Sequence, residues 1–552
     1  MSPPARRLPS VTVHMVGLSL LFVGLGMVVC AFVDVVDRGD ATPELALSGL
    51  ATMAVGAAAR RWSRVPADLP PRSVFAAVSV AWVVTSLAGA VPYLTTGLLD
   101  SFDGALFESV SGFTCSGSSV FTAIDYDQAS PGLLWWRQLT QWFGGMGIIV
   151  LAVAVLPFLG VGGLELIRAE APGPSTDRLA PRVSETAKRL WAVYVGFTAV
   201  STRALLATGV GWFDASGLAL ALVSTGGFAP DAASIGGYDS VAVEVVVIIG
   251  MVIGGSSFTL LYNALRGRPG VYLRSSEFRM YILAMVIGVV AVTAILAVGG
   301  SGVAESLRMA AFNVATLGTS TGFGNADGLG SPGDFALWAP AAQVVLFLFM
   351  WVGGMTGSTS GGMKVLRAQV MARIAWRELR RAERPRIALP IKQGREVLDE
   401  GTVGRIAGFV LLYVVVVVGA AVVLAMAGTD ALTGFSGAVS AMGNMGPALG
   451  EAGPASSFAV YSVAERMVLA LLMVIGRLEV FPMVLTIVVA ARWVGSHGTS
   501  RRRHREVPSG QLVAAEGHDG RGQGQGQGSQ QGQVPRRQPV VDRRARRGPV
   551  QR

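Results

Sequence analysis

Long apolar runs separated by short polar segments dominate this chain, with neither the stripe of a surface helix nor the alternation of a half-buried strand. The runs lie near residues 11–36, 44–59, 73–96, 133–159, 189–210, 240–264, 279–300, 335–352, 403–427 and 458–492. About 20 apolar residues in a helix cross a hydrocarbon core of about 30 Å, so the pattern predicts ten membrane spans, the second of them short. The first run exceeds the apolar core of a signal peptide, about 7–15 residues, and no small-residue cleavage pattern follows it. It reads as a retained span.

A second pattern sits between the spans. Four shorter stretches, FESVSGFTCSGSSVF (107–121), LALALVSTGGFAP (218–230), AAFNVATLGTSTGFGNAD (310–327) and FSGAVSAMGNMGPALG (435–450), are each about half a membrane long. Each ends in small or hydroxyl residues around a glycine. The unit of span, half-helix, glycine turn and span therefore occurs four times, and repetition on this scale is a statement about architecture. Non-helical backbone survives at membrane depth only when buried in protein or lining a wet cavity. Glycine takes positive φ without steric cost, so successive carbonyls can face one way and replace the water around a cation. The half-helix adds the negative end of its dipole. The prediction is an all-α membrane protein with four pseudo-repeats around one central pore, preceded by two extra helices.

Charge orients this arrangement. The formal net charge is +10, and it is concentrated in alternate segments. Residues 60–72 carry Arg60, Arg61, Arg64 and Arg72, and 160–189 carry Arg168, Arg178, Arg182, Lys188 and Arg189. Arg266, Arg268, Arg274 and Arg279 follow in 266–279, and eleven cationic residues lie in 364–405. The intervening segments are nearly bare of Lys and Arg. Cationic loops stay cytoplasmic, which puts both termini inside. The opposite side holds Asp100, Asp103, Glu108, Asp125, Asp127, Asp214, Asp231, Asp239, Glu305, Asp327, Asp334, Asp430 and Glu451. Acids on one side concentrate cations there.

One stretch breaks the apolar pattern without belonging to a turn. GGMTGSTSGGMKVLR (353–367) follows an apolar run and precedes a cationic one. Its five glycines weaken any helix, and it places hydroxyls and Lys364 at the edge of a bilayer core.

Several chemistries are excluded. The four histidines, His14, His497, His504 and His518, all lie near the ends, so a membrane-embedded histidine dyad or HExxH zinc site has no material. Two cysteines, Cys30 and Cys115, make no metal framework. Gly357 and Gly362 have phosphate-loop spacing, but Met363 occupies the lysine position. The chain is read as a non-enzyme without a nucleotide site. Its tail from Ser496, twelve arginines against four acids around GRGQGQGQGSQQGQ, is too polar and repetitive for a core and reads as a cytoplasmic extension, with no nucleic acid expected.

These features together resemble the Trk/Ktr/HKT superfamily of potassium transport proteins, most closely the Trk-type membrane subunit. The carrying stretches are QWFGGMGIIVLAVAVLPFLGVGG (141–163), VSTGGF (223–228), GSTSGGMKVLR (357–367), RELRRAERPR (377–386), NMGPALG (444–450) and IGRLEVFP (475–482). The resemblance implies the division 1–72 (two extra helices), 73–159, 189–264, 278–377 and 402–492 (pore repeats), and 493–552 (basic tail). It implies a filter built from Cys115, Ser116 and Gly117, from Ser224, Thr225 and Gly226, from Ser320, Thr321 and Gly322, and from Asn444, Met445 and Gly446.

A gate at 353–364 follows from the same resemblance. It would comprise Gly353, Gly354, Gly357, Ser358, Thr359, Ser360, Gly361, Gly362 and Lys364, with Arg477 against it. Sodium-favouring members often carry serine at the first filter glycine, so Gly117 implies potassium as the transported ion. Cys115 stands where threonine is common, and the fourth turn lacks a hydroxyl. The family further implies a plasma-membrane homodimer seated on a cytosolic ring of nucleotide-binding regulatory subunits, the only source of ATP or NAD dependence. Sequence leaves open a sodium- or proton-coupled symporter, or a less selective potassium/sodium transporter.

Overall fold

In the computed structural model, the described residues are 8–64, 71–154, 179–385, 389–394 and 396–479. The basic tail, most of the 160–189 loop, Arg386 and the end of the 458–492 run lie outside them.

The described chain is built almost wholly of helices. Helices α1 (Val11–Val36) and α2 (Thr42–Trp62) form the leading pair, followed by α3 (Pro71–Gly89) and α4 (Val91–Thr95). Next come α5 (Phe102–Thr114), α6 (Ala123–Gln128) and α7 (Pro131–Ala154), then α8 (Leu179–Ala207), α9 (Trp212–Ser224), α10 (Val241–Gly254), α11 (Phe258–Leu265) and α12 (Val271–Arg274). The rest comprises α13 (Ser276–Val298), α14 (Val303–Gly318), α15 (Pro340–Val352), α16 (Val365–Glu383), α17 (Glu400–Ala427), α18 (Ala431–Gly443) and α19 (Val463–Arg477). Two two-residue ladders, Leu8–Pro9 with Ser63–Arg64 and Lys392–Gln393 with Glu396–Val397, are the β-structure of the described residues.

Five described helical segments are long and apolar enough to cross a membrane: Val11–Val36, Ala76–Thr95, Glu185–Ala207, Ser276–Val298 and Glu400–Ala427. A sixth exists only if α10 and α11 count as one span, and they meet at 103°. The apolar run at 240–264 is thus broken. At the break the Gly255 carbonyl accepts from Met355 N–H (2.8 Å), so a tertiary contact redirects the chain. The run at 335–352 yields only the 13 residues of α15, opened by Pro340 in the first turn, where proline costs no hydrogen bond.

Glycine lets the leading pair pack closely. A Cβ on Gly24 would lie 2.5 Å from the Gly49 carbonyl oxygen, and one on Gly56 2.8 Å from that of Gly17. Such small-residue contacts bring membrane helices backbone to backbone. Asp34 then ties the pair to the next unit. Fully buried, its carboxylate accepts from Thr42 Oγ1 (2.8 Å), Gly132 N–H (2.8 Å) and the Ser130 hydroxyl, at the N-terminus of α7. A carboxylate is stabilised there by the exposed amides and the helix dipole.

The four short helices α5, α9, α14 and α18 occupy the interior, buried along most of their length. Packing runs in a closed circuit, α5 on α7, α7 on α9, α9 on α10, α10 on α14, α14 on α15, α15 on α18, α18 on α19, and α19 back on α5.

Candidate functional site

Each interior helix ends in the same way. Cys115 N–H bonds the Gly112 carbonyl and Ser116 N–H that of Ser111. The pairs Thr225/Leu222 with Gly226/Ala221, Ser320/Leu317 with Thr321/Thr316, and Asn444/Ala441 with Met445/Ser440 repeat it. This is the Schellman closure, in which one left-handed residue satisfies the last carbonyls, usually as glycine. Here that residue carries a side chain: φ is 54° at Cys115, 51° at Thr225, 52° at Ser320 and 50° at Asn444. Left-handed conformation costs a side-chain-bearing residue about 1–2 kcal/mol, so the surroundings must hold all four turns.

Two residues later comes a left-handed glycine: Gly117 (82°), Gly227 (82°), Gly322 (86°) and Gly446 (96°). The second turn therefore differs from its sequence reading. Ser224, Thr225 and Gly226 were expected to match the other three sets, but Ser224 still belongs to α9 and the matching residues are Thr225, Gly226 and Gly227.

The four turns meet in cyclic order. A methyl group on Gly117 would overlap the Gly226 carbonyl oxygen, one on Gly227 that of Thr321, and one on Gly322 that of Met445. A Cβ on Gly446 would stand 3.2 Å from the Ser116 oxygen, which closes the ring. A side chain at any of the first three would push apart two neighbouring backbones. On the acid-rich side the ring opens to a cavity of about 90 Å³, lined by all four glycines together with Ser118, Phe228 and Pro447.

Buried polar groups hold the outer ends of the turns. Arg137 and Glu108, both without exposure, pair at 2.7 Å. Glu108 also accepts from Ser119 Oγ (3.0 Å) and Val120 N–H (3.1 Å) just after the first turn. The Arg137 guanidinium lies 4.2 Å from the ring centres of both Phe121 and Phe228, joining turns one and two. Glu108, expected among the outer acids, is thus a structural ion pair, and Asp103 pairs with Arg466 at 2.6 Å. Asp100, Asp127, Asp231, Asp239, Glu305, Asp327, Asp430 and Glu451 remain exposed. Gln141 brackets the second turn: its Nε2 donates to the Gly226 carbonyl (2.5 Å) and its Oε1 accepts from Phe228 N–H (3.1 Å). In the fourth turn Ser118 and Ser440 hydroxyls both donate to the Gly446 carbonyl at 2.9 Å.

On the other side of the turns lies the 353–364 loop. Its neck is closed by Lys364 N–H to the Val352 carbonyl (2.7 Å) and Val365 N–H to that of Gly354 (3.0 Å). Gly353, Gly357, Gly362 and Lys364 all have φ between 69° and 79°. The loop reaches the turns one by one. Thr359 Oγ1 lies 3.2 Å from Thr225 Oγ1, and Gly361 N–H donates to Ser320 Oγ (2.5 Å). Ser360 Oγ contacts Ser320 Oγ at 2.9 Å, and Gly361 packs on the Gly443 carbonyl beside Asn444. Arg477 adds the first turn: it donates to the Thr359 carbonyl (2.7 Å), to Cys115 Sγ (3.0 Å) and to the Gly144 carbonyl (3.2 Å). Ser358 Oγ caps the loop internally on the Met355 carbonyl (2.6 Å), and Lys364 Nζ donates to the Ser360 carbonyl. The residues singled out from 115 to 477 are therefore brought into one assembly, with Gly227, Gln141, Ser118 and the Glu108–Arg137 pair as additions.

Comparison with known proteins gives the family of the chain. The family model described as "TrkH: Cation transport protein" matches residues 43–492. The chain is 36% identical over 422 residues to the Trk system potassium uptake protein TrkH of Halomonas elongata, covering 76% of this chain and 85% of that one. It is 34% identical over 480 residues to TrkH of Escherichia coli K12, covering 86% and 97%. The crystal structure of the potassium transporter TrkH from Vibrio parahaemolyticus superposes with a TM-score of 0.77 at 31% identity, over 86% of this chain and 97% of that chain. With its apolar helices this is an integral membrane protein, and the chain belongs to the TrkH family of cation transport proteins.

Proposed function

We propose that this chain carries potassium into the cell across the plasma membrane through a central pore, with the four-turn ring as its selectivity filter. The cyclic contact of Gly117, Gly227, Gly322 and Gly446 with their neighbours' carbonyls carries this reading. Backbone oxygens held at one depth around one axis can replace the water of a dehydrated cation, and the C-terminal dipoles of α5, α9, α14 and α18 favour positive charge there. The pore repeats are 73–159, 189–264, 278–377 and 402–492, and Cys115, Ser116, Thr225, Gly226, Ser320, Thr321, Asn444 and Met445 complete the filter.

The 353–364 loop is its gate. It lies directly under the turns, and among the described residues Arg477 has no carboxylate within ion-pair distance. An uncompensated guanidinium beneath a cation path raises the barrier to passage. The chain acts as a homodimer with cytoplasmic termini on a ring of nucleotide-binding regulatory subunits, which would act on the gate from below.

The test is rubidium and sodium uptake into potassium-starved cells expressing the parent chain or Gly117→Ser. The parent is expected to restore growth at low potassium and to exclude sodium, whereas Gly117→Ser loses the discrimination. Equal sodium and rubidium uptake by the parent would refute the potassium assignment.

A further inference from the structure

The second turn differs from the other three in having two consecutive glycines. The residue after the left-handed position is Ser116, Thr321 or Met445 elsewhere, but Gly226 here. A tandem glycine is the most deformable backbone available, which is poorly suited to a ring whose spacing must discriminate between ions. The structure shows what occupies the missing side chain's place. A Cβ on Gly226 would overlap the Gln141 side-chain amide, with Gln141 Cβ 2.9 Å away. Gln141 comes from α7, outside the second turn, and is fully buried.

Its amide makes both of its bonds to the turn it fills, one to the Gly226 carbonyl and one to Phe228 N–H. It thereby spans Gly227 from both sides and fixes the two peptide units flanking the left-handed glycine. Its own carbonyl accepts from Cys115 Sγ (3.1 Å), which couples it to the first turn. In the third turn the comparable contact comes from within the same repeat, Thr316 Oγ1 to the Phe323 carbonyl (2.9 Å).

We infer that Gln141 is a specificity-determining positioning residue, which holds the Gly226 carbonyl at the distance from the axis that distinguishes potassium from sodium. The inference rests on the filter reading above. With the amide absent, the Gly226–Gly227 segment relaxes toward the axis and coordinates the smaller ion. Because one lone pair of the Gly226 oxygen is engaged by Gln141, that oxygen also differs electrostatically from its three counterparts.

The test compares Gln141→Met, similar in length but without the amide, and Gln141→Glu with the parent chain. Glu keeps an acceptor for Phe228 N–H but faces the Gly226 oxygen with a second oxygen in place of a donor. Rubidium uptake is measured in potassium-starved cells under competition by sodium and by potassium, with the amount of membrane-inserted protein quantified. The ratio of inhibition constants does not depend on that amount. The expected result is that both variants transport rubidium and that the sodium-to-potassium inhibition ratio falls at least tenfold toward unity. Variants with reduced flux and an unchanged ratio would overturn the inference, as would failure of both to insert, which would make Gln141 a folding residue. A parent chain that fails to take up rubidium would instead sink the filter reading itself.

Discussion

The Arg477 guanidinium, from the last described helix, donates to the Thr359 carbonyl at 2.7 Å and so pins the tip of the glycine-rich loop beneath the first turn. In the proposed gate, loop and charge would act as one barrier. Arg477→Gln keeps a donor but removes the charge, and is expected to raise rubidium flux several-fold in proteoliposomes. Unchanged flux in well-folded protein would show that the arginine only packs.

Removing Ser358, Thr359 and Ser360 takes away the side-chain contacts of Thr359 to Thr225 and of Ser360 to Ser320 while sparing the residues of the neck at Val352–Lys364. Flux is expected to rise and to become independent of any regulatory subunit. Lower flux from a monodisperse variant would argue against a gate.

The Glu108–Arg137 pair is fully buried. Deleting one member of such a pair leaves an uncompensated charge and costs about 3–5 kcal/mol. Glu108→Gln should therefore lower the thermal midpoint in detergent strongly, and Glu108→Leu combined with Arg137→Met should recover much of the loss. Additive single effects would contradict the pairing.

Between α1 and α2 the contact of Gly24 with Gly49 leaves no room for a side chain. Gly24→Leu overpacks the crossing, which costs about 1–3 kcal/mol, and should raise the susceptibility of the leading pair to proteolysis. On the proposed filter reading, in which the leading pair takes no part in conduction, transport should persist.

Asp430 caps α18 by accepting from Leu432 and Thr433 N–H (2.9 and 3.1 Å). Its hydrogen bond with Thr433 holds its carboxyl below the usual range. A depressed folded value means the stabilisation is complete above the unfolded carboxylate value, near 4, and is lost as pH falls through the folded one. Asp430→Asn should flatten the thermal midpoint between about pH 5 and 3, whereas a profile parallel to the parent's would deny the cap a role.

Much of this arrangement was legible in the sequence because it rests on local signals. The half-helices were visible as semi-apolar stretches ending in glycine, and 353–364 as an island that no membrane helix tolerates. What escaped depends on tertiary contact. In STGG either glycine could take the left-handed position; the end of α9 at Ser224 selects Gly227. The run at 240–264 reads as one apolar span, yet Gly255 bends it toward the loop about a hundred residues later. Charge counting placed Glu108 among the outer acids that concentrate cations, since nothing local joins it to Arg137, 29 positions away.

The ring's closing contact, Ser118 Oγ to the Gly446 carbonyl, joins residues 328 positions apart. At roughly 5–20 residues per second, a ribosome needs roughly 15–65 s to supply the second partner after the first. Over that interval the second and third bends are translated while the flank of the first still lacks its partner from the fourth. The insertion machinery must shelter that flank, so defects in the final quarter of translation should expose the earlier quarters to quality-control proteases.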